Sequence, residues 1–383
     1  MKYTFLAFML IFMLYPFLAK KHLKIYLTIV TFVLSALAYF IVPQTTMDLY
    51  RYTNIMDYIR EMGWNWAMNR YGDSNPLATV FLYGVSLLNN NNMLPAITAA
   101  LTYGFTLALF YKAAKRFKVR NSEVFIAFVF LMLNLNYCYV INVVRIYIAY
   151  AILAYFLYMD LVEKKHRPLC FAVYVLLCYF HYAILVFVIL RLVFIITGKL
   201  NGILSFISTI IVPAILFLGY WFVDLFTGSS SLLTYVGEKI EGYKTYETFG
   251  IWQFLASVAK IGVFIIIGII TIALCNELRK KYVENSLAEK AREVAVINKF
   301  TVFCFYVTLS VVTFIANYQF VLRTPYFIQM LISAPFLFLL TNLRKTNNNY
   351  YGALSAFIIV ESVVHYIYLL AYVYPVLEFS FVF

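Results

Sequence analysis

Unbroken apolar runs of bilayer-spanning length, such as 203–222 and 251–274, constrain this chain more than any motif in it. A hydrocarbon core about 30 Å thick takes about 20 apolar residues per helix. An outer-membrane barrel would instead show alternating strands of about ten residues. With 64% apolar and 12% charged residues over 383 positions, a water-soluble globule is excluded and no sizeable soluble domain fits. The expected fold is therefore all-α, a polytopic integral membrane protein. Runs at about 3–19, 25–42, 93–111, 121–140, 146–162, 169–181, 183–197, 203–222, 251–275, 300–316, 325–341 and 350–372 give about 12 transmembrane helices. A thirteenth run, 77–88, is too short to span unaided and ends in four asparagines, so it reads as interfacial or re-entrant.

Charge placement orients the spans. If 77–88 does not cross, loops 20–24, 112–120, 163–168, 198–202, 276–299 and 342–349 share one side and carry 20 of the 30 Lys and Arg residues. The positive-inside rule makes that side cytoplasmic, with both termini outside. The net charge of +13 then reports topology, and no nucleic-acid partner is implied. One transmembrane domain covers 1–383, with longer extracytoplasmic loops at 43–76 and 223–250. The charged cytoplasmic stretch 276–299 reads as a solvated helix. The first run leads through Lys20, Lys21, His22 and Lys24 into a second run, the pattern of a retained anchor. Five cysteines, singly scattered, read as small core residues. Phosphate-cradling loops, dinucleotide fingerprints, HExxH and paired CxxC are absent, so no nucleotide or metal chemistry is called for and no cofactor is expected.

Candidate chemistry gathers at the outer boundary. Five of the eight outer-side basic groups are Arg, whose planar fork suits phosphate or carboxylate oxygens. Arg145, in the tight NVVR turn at 142–145, and Arg323, just before a late span, read as anion ligands or as snorkelling anchors. His181, where two runs meet on the outer side, suits a base or a phosphate donor, or a structural hydrogen bond. The stretch Asp48-Leu49-Tyr50-Arg51-Tyr52, continuing through Asp57, Arg60 and Glu61, is either a hydroxyl-gripping pocket with a carboxylate base or a surface helix with local ion pairs. Trp64, Trp66 and Tyr71 fit sugar stacking or interfacial anchoring. Glu361 and His365 share one face of the last span, as a structural polar pair or a buried relay, and Arg191 and Lys260 within theirs either snorkel or face a polar cavity.

The order DLYRY at 48–52, NVVRIYIA at 142–149, YFHYAIL at 179–185 and RTPYF at 323–327 resembles the EpsG/Wzy-type polymerases of bacterial exopolysaccharide, capsule and O-antigen. One departure is Ile146, where many such relatives carry Gln after the Arg. The resemblance implies a GT-C-like membrane glycosyltransferase in the bacterial cell membrane. It would polymerise undecaprenyl-pyrophosphate-linked oligosaccharide repeat units on the extracytoplasmic face. A chain-length regulator and a flippase are the implied partners, besides the lipid bilayer. On this reading Arg145 and Arg323 hold the departing pyrophosphate, and Asp48 or His181 is the base. Arg51, Tyr52, Asn142 and Tyr326 line the sugar pocket. A lipid-linked oligosaccharide flippase, a membrane O-acyltransferase and an O-antigen ligase are the alternatives.

Overall fold

The computed structural model describes residues 2–72, 75–197, 211, 251–313 and 318–380. The expected span at 203–222 and the outer loop 223–250 lie outside the described residues, apart from Ile211. Among the described residues the chain is all-α but for one two-stranded sheet. Among the described residues seven helices are long and apolar enough to cross a membrane: Lys2–Tyr39, Met93–Arg116, Val144–Glu163, Phe254–Glu284, Ala288–Val312, Val321–Thr346 and Asn348–Val376. Three further expected spans are helices of only 14 residues, Asn121–Asn134, Arg167–Phe180 and Ile184–Thr197. Each of these is about 21 Å long and does not match a 30 Å core by helical length alone.

The chain forms two compact units, Met1–Ile184 with Phe336–Phe383, and Leu185–Pro335. In the first unit, α1 (Lys2–Tyr39) is continuous in hydrogen bonding but leaves helical geometry at His22, with φ −134° and ψ 52°. The Tyr26 hydroxyl donates to the Ile11 carbonyl at 2.9 Å, and the Tyr15 and Tyr26 rings lie 5.3 Å apart. A straight helix would separate residues 15 apart by about 22 Å, so the chain doubles back at His22. The two runs expected on either side of Lys20–Lys24 are thus the arms of a hairpin. Its first arm packs Phe12 and Tyr15 on Phe125 and Phe128 of α5 (Asn121–Asn134).

After β1 (Ile41–Val42) come α2 (Asp48–Ala67), α3 (Pro76–Ser86) and α4 (Met93–Arg116). Gly63 interrupts α2 with φ 79°, a conformation open to glycine at no Cβ cost. Helix α5 stops at Leu135, whose φ/ψ of −85°/106° is extended, and α6 (Tyr137–Asn142) follows it. The expected continuous span 121–140 is therefore broken at 135–136, where Asn136 caps α6 by accepting from the Tyr139 amide at 3.2 Å. A second break at Val143 separates α6 from α7 (Val144–Tyr158). Left-handed Lys164 and His166 then turn the chain into α8 (Arg167–Phe180). The unit also contains α13 (Asn348–Tyr368) and β2 (Glu378–Phe379), which pairs antiparallel with β1.

Polar contacts sort the loops of this unit into two ends. Arg116 meets Glu163 at 3.3 Å, and Arg344 meets Glu123 at 3.0 Å. Tyr15 donates to the Asn121 carbonyl at 2.8 Å. These contacts gather segments near 20, 116–123, 163 and 344, the basic loops, at one end. At the other end Asn90 donates to the Tyr39 hydroxyl at 2.8 Å and the Leu49 amide donates to Asn142 Oδ1 at 2.8 Å. There too the Ser380 amide donates to the Phe40 carbonyl at 2.8 Å. The C-terminal flank of α3 belongs to this second end, where Arg60 of α2 donates to the Ser86 carbonyl and to Asn91. Its length of 11 residues already argued against a span.

This arrangement predicts the labelling of single cysteines. Exposed Glu61→Cys should react with a membrane-impermeant maleimide on intact cells, and exposed Arg120→Cys only after permeabilisation. Reaction of both from the same side would return α3 to the set of spans.

In the second unit, α9 (Ile184–Thr197), α10 (Ile251–Glu284) and α11 (Ala288–Thr313) precede α12 (Tyr318–Thr346), and the unit's limits fall inside α9 and at Pro335 inside α12. The charged stretch 276–299 is not the single helix expected: α10 ends at Glu284, and Ser286 turns the chain with φ 55°. The Leu287 amide closes that turn on the Tyr282 carbonyl at 2.8 Å. Helices α10 and α11 pack as a hairpin whose polar tip is this stretch.

Candidate functional site

Five of the eight residues singled out from the sequence meet at the end of the first unit away from the basic loops. The break at Val143 ends α6 on Asn142 and starts α7 one residue before Arg145, so both side chains leave the same turn. Asn142 Oδ1 accepts from the Leu49 amide at 2.8 Å, in the first turn of α2. An acceptor there satisfies one of the amides that a helix N-terminus leaves without an internal partner. Asp48 and Arg51, one turn apart on α2, form an ion pair at 3.2 Å. Tyr52, only 4% exposed, aims its hydroxyl at Arg145 and accepts from Nε at 2.8 Å.

Arg145 engages Tyr52 at its hydroxyl edge. Its Cζ lies 5.5 Å from the ring centroid, while Arg51 stands 5.4 Å from the same ring. Two guanidinium groups therefore flank one buried tyrosine beside the Asp48 carboxylate. With Nε fixed by Tyr52, the fork of Arg145 is oriented before any anion arrives. A half-buried Arg at this position suits a phosphate better than a snorkelling role, which would carry the head group out to water.

Asn142 couples α2 to the α6–α7 turn, so its loss should act on the site without removing a charge. Asn142→Leu leaves the Leu49 amide unsatisfied at a cost of about 1–3 kcal/mol. We expect Asn142→Leu to lower the melting temperature of the purified chain in detergent by a few degrees while its membrane levels, read by immunoblot, stay near normal.

His181 lies elsewhere in the first unit. It ends α8, is 8% exposed, and stacks on Tyr182 at 5.0 Å. Its Nδ1 accepts from the Ala183 amide at 3.2 Å. An amide can only donate, so Nδ1 carries no proton and the neutral ring holds its proton on Nε2. In that tautomer Nε2–H is a hydrogen-bond donor.

Arg323 and Tyr326 belong to the second unit, one turn apart on α12. Arg323 is partly exposed and Tyr326 is 7% exposed. Lys260 of α10 places Nζ 4.3 Å from the Tyr326 ring centroid and is 3% exposed. Of the two readings, snorkelling fails for Lys260, whose ammonium turns inward onto an aromatic face, and Arg191, 6% exposed, is buried as well. The signal in the sequence is a lone cation at the centre of an apolar run.

Two polar clusters escaped the sequence reading. Asn91, within the asparagine run, donates to both oxygens of Asp57 at 3.1 and 3.3 Å and accepts from Arg60, whose Nε donates to the Ser86 carbonyl at 3.0 Å. These bonds clamp α2 to the turn after α3. Deep in the unit, fully buried Asn134 donates to Glu361 at 3.1 Å and to Ser362 at 3.0 Å. Glu361 thus has an acceptor role toward α5 beyond its spacing from His365. Trp64 packs edge-on against Tyr83 at 5.0 Å, and Trp66 against Tyr71 at 5.8 Å. Among the described residues no group of three His, Cys, Asp or Glu side chains is placed to hold a metal ion.

The family model described as the EpsG family matches residues 24–380, nearly the whole chain. No curated protein and no solved structure matches.

Proposed function

Because the chain belongs to the EpsG family, and so to a polysaccharide-polymerase type of multi-pass membrane protein, we propose that it joins lipid-linked oligosaccharide repeat units into a surface polysaccharide. The donor is a growing chain on undecaprenyl pyrophosphate, and the acceptor is the non-reducing sugar of a new lipid-linked unit. The reaction takes place on the extracytoplasmic face of the bacterial cell membrane, after a flippase has delivered the unit. A chain-length regulator is a further partner on this reading. The energy resides in the sugar–pyrophosphate bond, so the transfer needs no nucleotide.

The observation that carries the proposal is Arg145, oriented by Tyr52 beside the Asp48–Arg51 pair at the end of the first unit away from the basic loops. As the anomeric C–O bond breaks, the electron pair leaves with the pyrophosphate. The acceptor hydroxyl oxygen bonds to the anomeric carbon and gives up its proton. Arg145 stabilises charge that exists fully only as the bond breaks, which accelerates the step itself. Asp48 takes the proton. His181, with Nδ1 occupied, donates from Nε2 to a substrate oxygen. Arg51, Tyr52 and Asn142 shape the sugar side of the site in the first unit.

The test is gel separation of surface polysaccharide from cells lacking the gene, complemented with the wild-type chain. Loss of the long ladder in the deletion, with single repeat units still outside and ladder restored on complementation, is the expected result. If single units fail to reach the outside, the chain is a transporter. A ladder that persists with altered acylation sinks glycosyl transfer.

A further inference from the structure

Helix α2 has two unlike faces. Leu49, Tyr52, Thr53, Met56 and Ile59 are buried, whereas Tyr50, Arg51, Asp57, Tyr58 and Glu61 are exposed. A helix that lies in lipid by one face presents apolar residues there. The apolar face of α2 is spent on the protein, and its outer face carries Arg51, Asp57 and Glu61, so rings on that outer face stand in a polar setting. Trp64 is different: it packs on Tyr83 of α3, four residues before exposed Leu87, the surroundings of an interfacial anchor.

Three other rings are gathered by the backbone. The Trp66 ring lies 5.9 Å from Tyr58 and 5.8 Å from Tyr71. In a straight helix Tyr58 and Trp66 would stand about 12 Å apart along the axis. The break at Gly63, with φ 79° and ψ −174°, folds the segment back, and that combination is essentially confined to glycine. One π-helical turn, Met68–Gly72, then carries Tyr71 to Trp66. Tyr58 is 55% exposed, and Trp66 and Tyr71 are partly exposed. Because the rings hold one another, the surface they make exists before any ligand arrives. Next to Tyr58 on α2, the exposed Asp57 carboxylate is held by Arg60 and Asn91, which occupy three of about four acceptor positions and leave Oδ2 able to accept once more. Apolar ring surface beside a fixed carboxylate edge matches a sugar ring, whose C–H face packs on aromatics and whose hydroxyls donate to carboxylate oxygen. Tyr58 also follows Arg51 by seven residues, which puts both on one face of α2 about 10 Å apart.

We propose that Tyr58, Trp66 and Tyr71, with Asp57, form a shelf that binds an oligosaccharide chain. Its role as a hold on the growing glycan, at sugars remote from the reacting bond, rests on the proposed function, whereas glycan binding itself does not. A chain held there stays at high local concentration beside Arg51 between additions. Weakening the shelf should therefore release shorter polymer.

The test is calorimetric titration of the purified full chain, in a neutral detergent, with surface polysaccharide taken from wild-type cells and freed of its lipid. Wild type should bind. Tyr58→Ala and Trp66→Ala should each weaken binding about fivefold or more, with melting points within a few degrees of wild type. Gly63→Ala keeps every ring but not the fold-back, and should weaken binding as much. Trp64→Ala, which removes an exposed indole outside the shelf, should stay within about twofold of wild type. No binding by the wild type, or unchanged affinity in both Tyr58→Ala and Trp66→Ala, overturns the proposal. An equal loss in Trp64→Ala also overturns it, since the rings would then act as an undifferentiated apolar surface. Lower membrane levels of Tyr58→Ala and Trp66→Ala with glycan affinity intact would make the rings bilayer anchors and overturn it as well. Should Trp66→Ala not fold, Trp66→Leu takes its place in the same titration. On the ladder gel, Tyr58→Ala/Trp66→Ala should shift the commonest chain length to about half or less, where Arg145→Ala removes the ladder. Loss of the ladder in Arg145→Ala with unchanged glycan affinity in the ring variants leaves the polymerase standing and the shelf refuted. A gene deletion that keeps its ladder refutes the polymerase, and the titration alone then decides the shelf.

Discussion

Replacing Arg145 with Ala should reduce long-chain polymer about 100- to 1000-fold, the range seen when one preorganised donor to a developing negative charge is removed. The protein should still insert, since Arg145 is partly exposed and the apolar runs are untouched. Arg145→Lys keeps the charge and loses both the fork and the Nε bond to Tyr52 at 2.8 Å. We expect it to recover only a small part of the loss, because a flexible ammonium must be ordered during the reaction. Tyr52→Phe should fall between wild type and Arg145→Lys, since it frees the guanidinium to turn without removing it. The measurement is the polysaccharide ladder quantified against membrane levels of each variant. A normal ladder from Arg145→Ala would remove this residue from the mechanism.

The largest expected stability effect lies at the basic end. Glu123 is 1% exposed and meets Arg344 at 3.0 Å, with the Ser122 hydroxyl donating to its other oxygen at 3.3 Å. Removing one partner of a buried pair strands the other charge, at a cost of about 3–5 kcal/mol. Arg344 is 35% exposed, so water softens the penalty and the lower figure, about 3 kcal/mol, applies to Arg344→Ala. We expect a clear drop in melting temperature in detergent. The double variant Glu123→Leu/Arg344→Met should regain most of it, because neither charge is then left buried. If Arg344→Ala melts like wild type, the pair does not secure α5 to α12.

Much of this architecture is legible in the sequence because it is local. Apolar runs announce membrane helices, and Lys20–Lys24 between two of them announces the reversal that the structure makes at His22. Asn142 and Arg145 flank the short turn at Val143, so the sequence places them together on one loop. Contacts that span the chain leave no such trace. That Tyr52 would meet Arg145, 93 residues away, depends on how α2 lies against the α6–α7 turn. Asn91 looks like part of a polar spacer until Asp57 and Arg60 are brought to it across a helix pair. For Lys260 the sequence leaves two directions open, because hydropathy gives the depth of a charge and not the direction of its stem. Over 276–299 the sequence reads as one helix because the chain turns there only through a single left-handed residue, Ser286.

The small β1–β2 pairing bears on the order in which this protein can be completed. Ile41 pairs with Phe379 and Val42 with Glu378, and Gln44 meets Glu378 at 2.9 Å, all within a few residues of Asp48. A ribosome releases residue 41 long before residue 379, at about 5–20 residues per second, so tens of seconds separate the two strands. During that interval the segment leading into α2 has no partner for its strand edge. The tie at the entry to α2 therefore forms only after residue 379 has been made, and a nascent chain with every earlier helix inserted still lacks it.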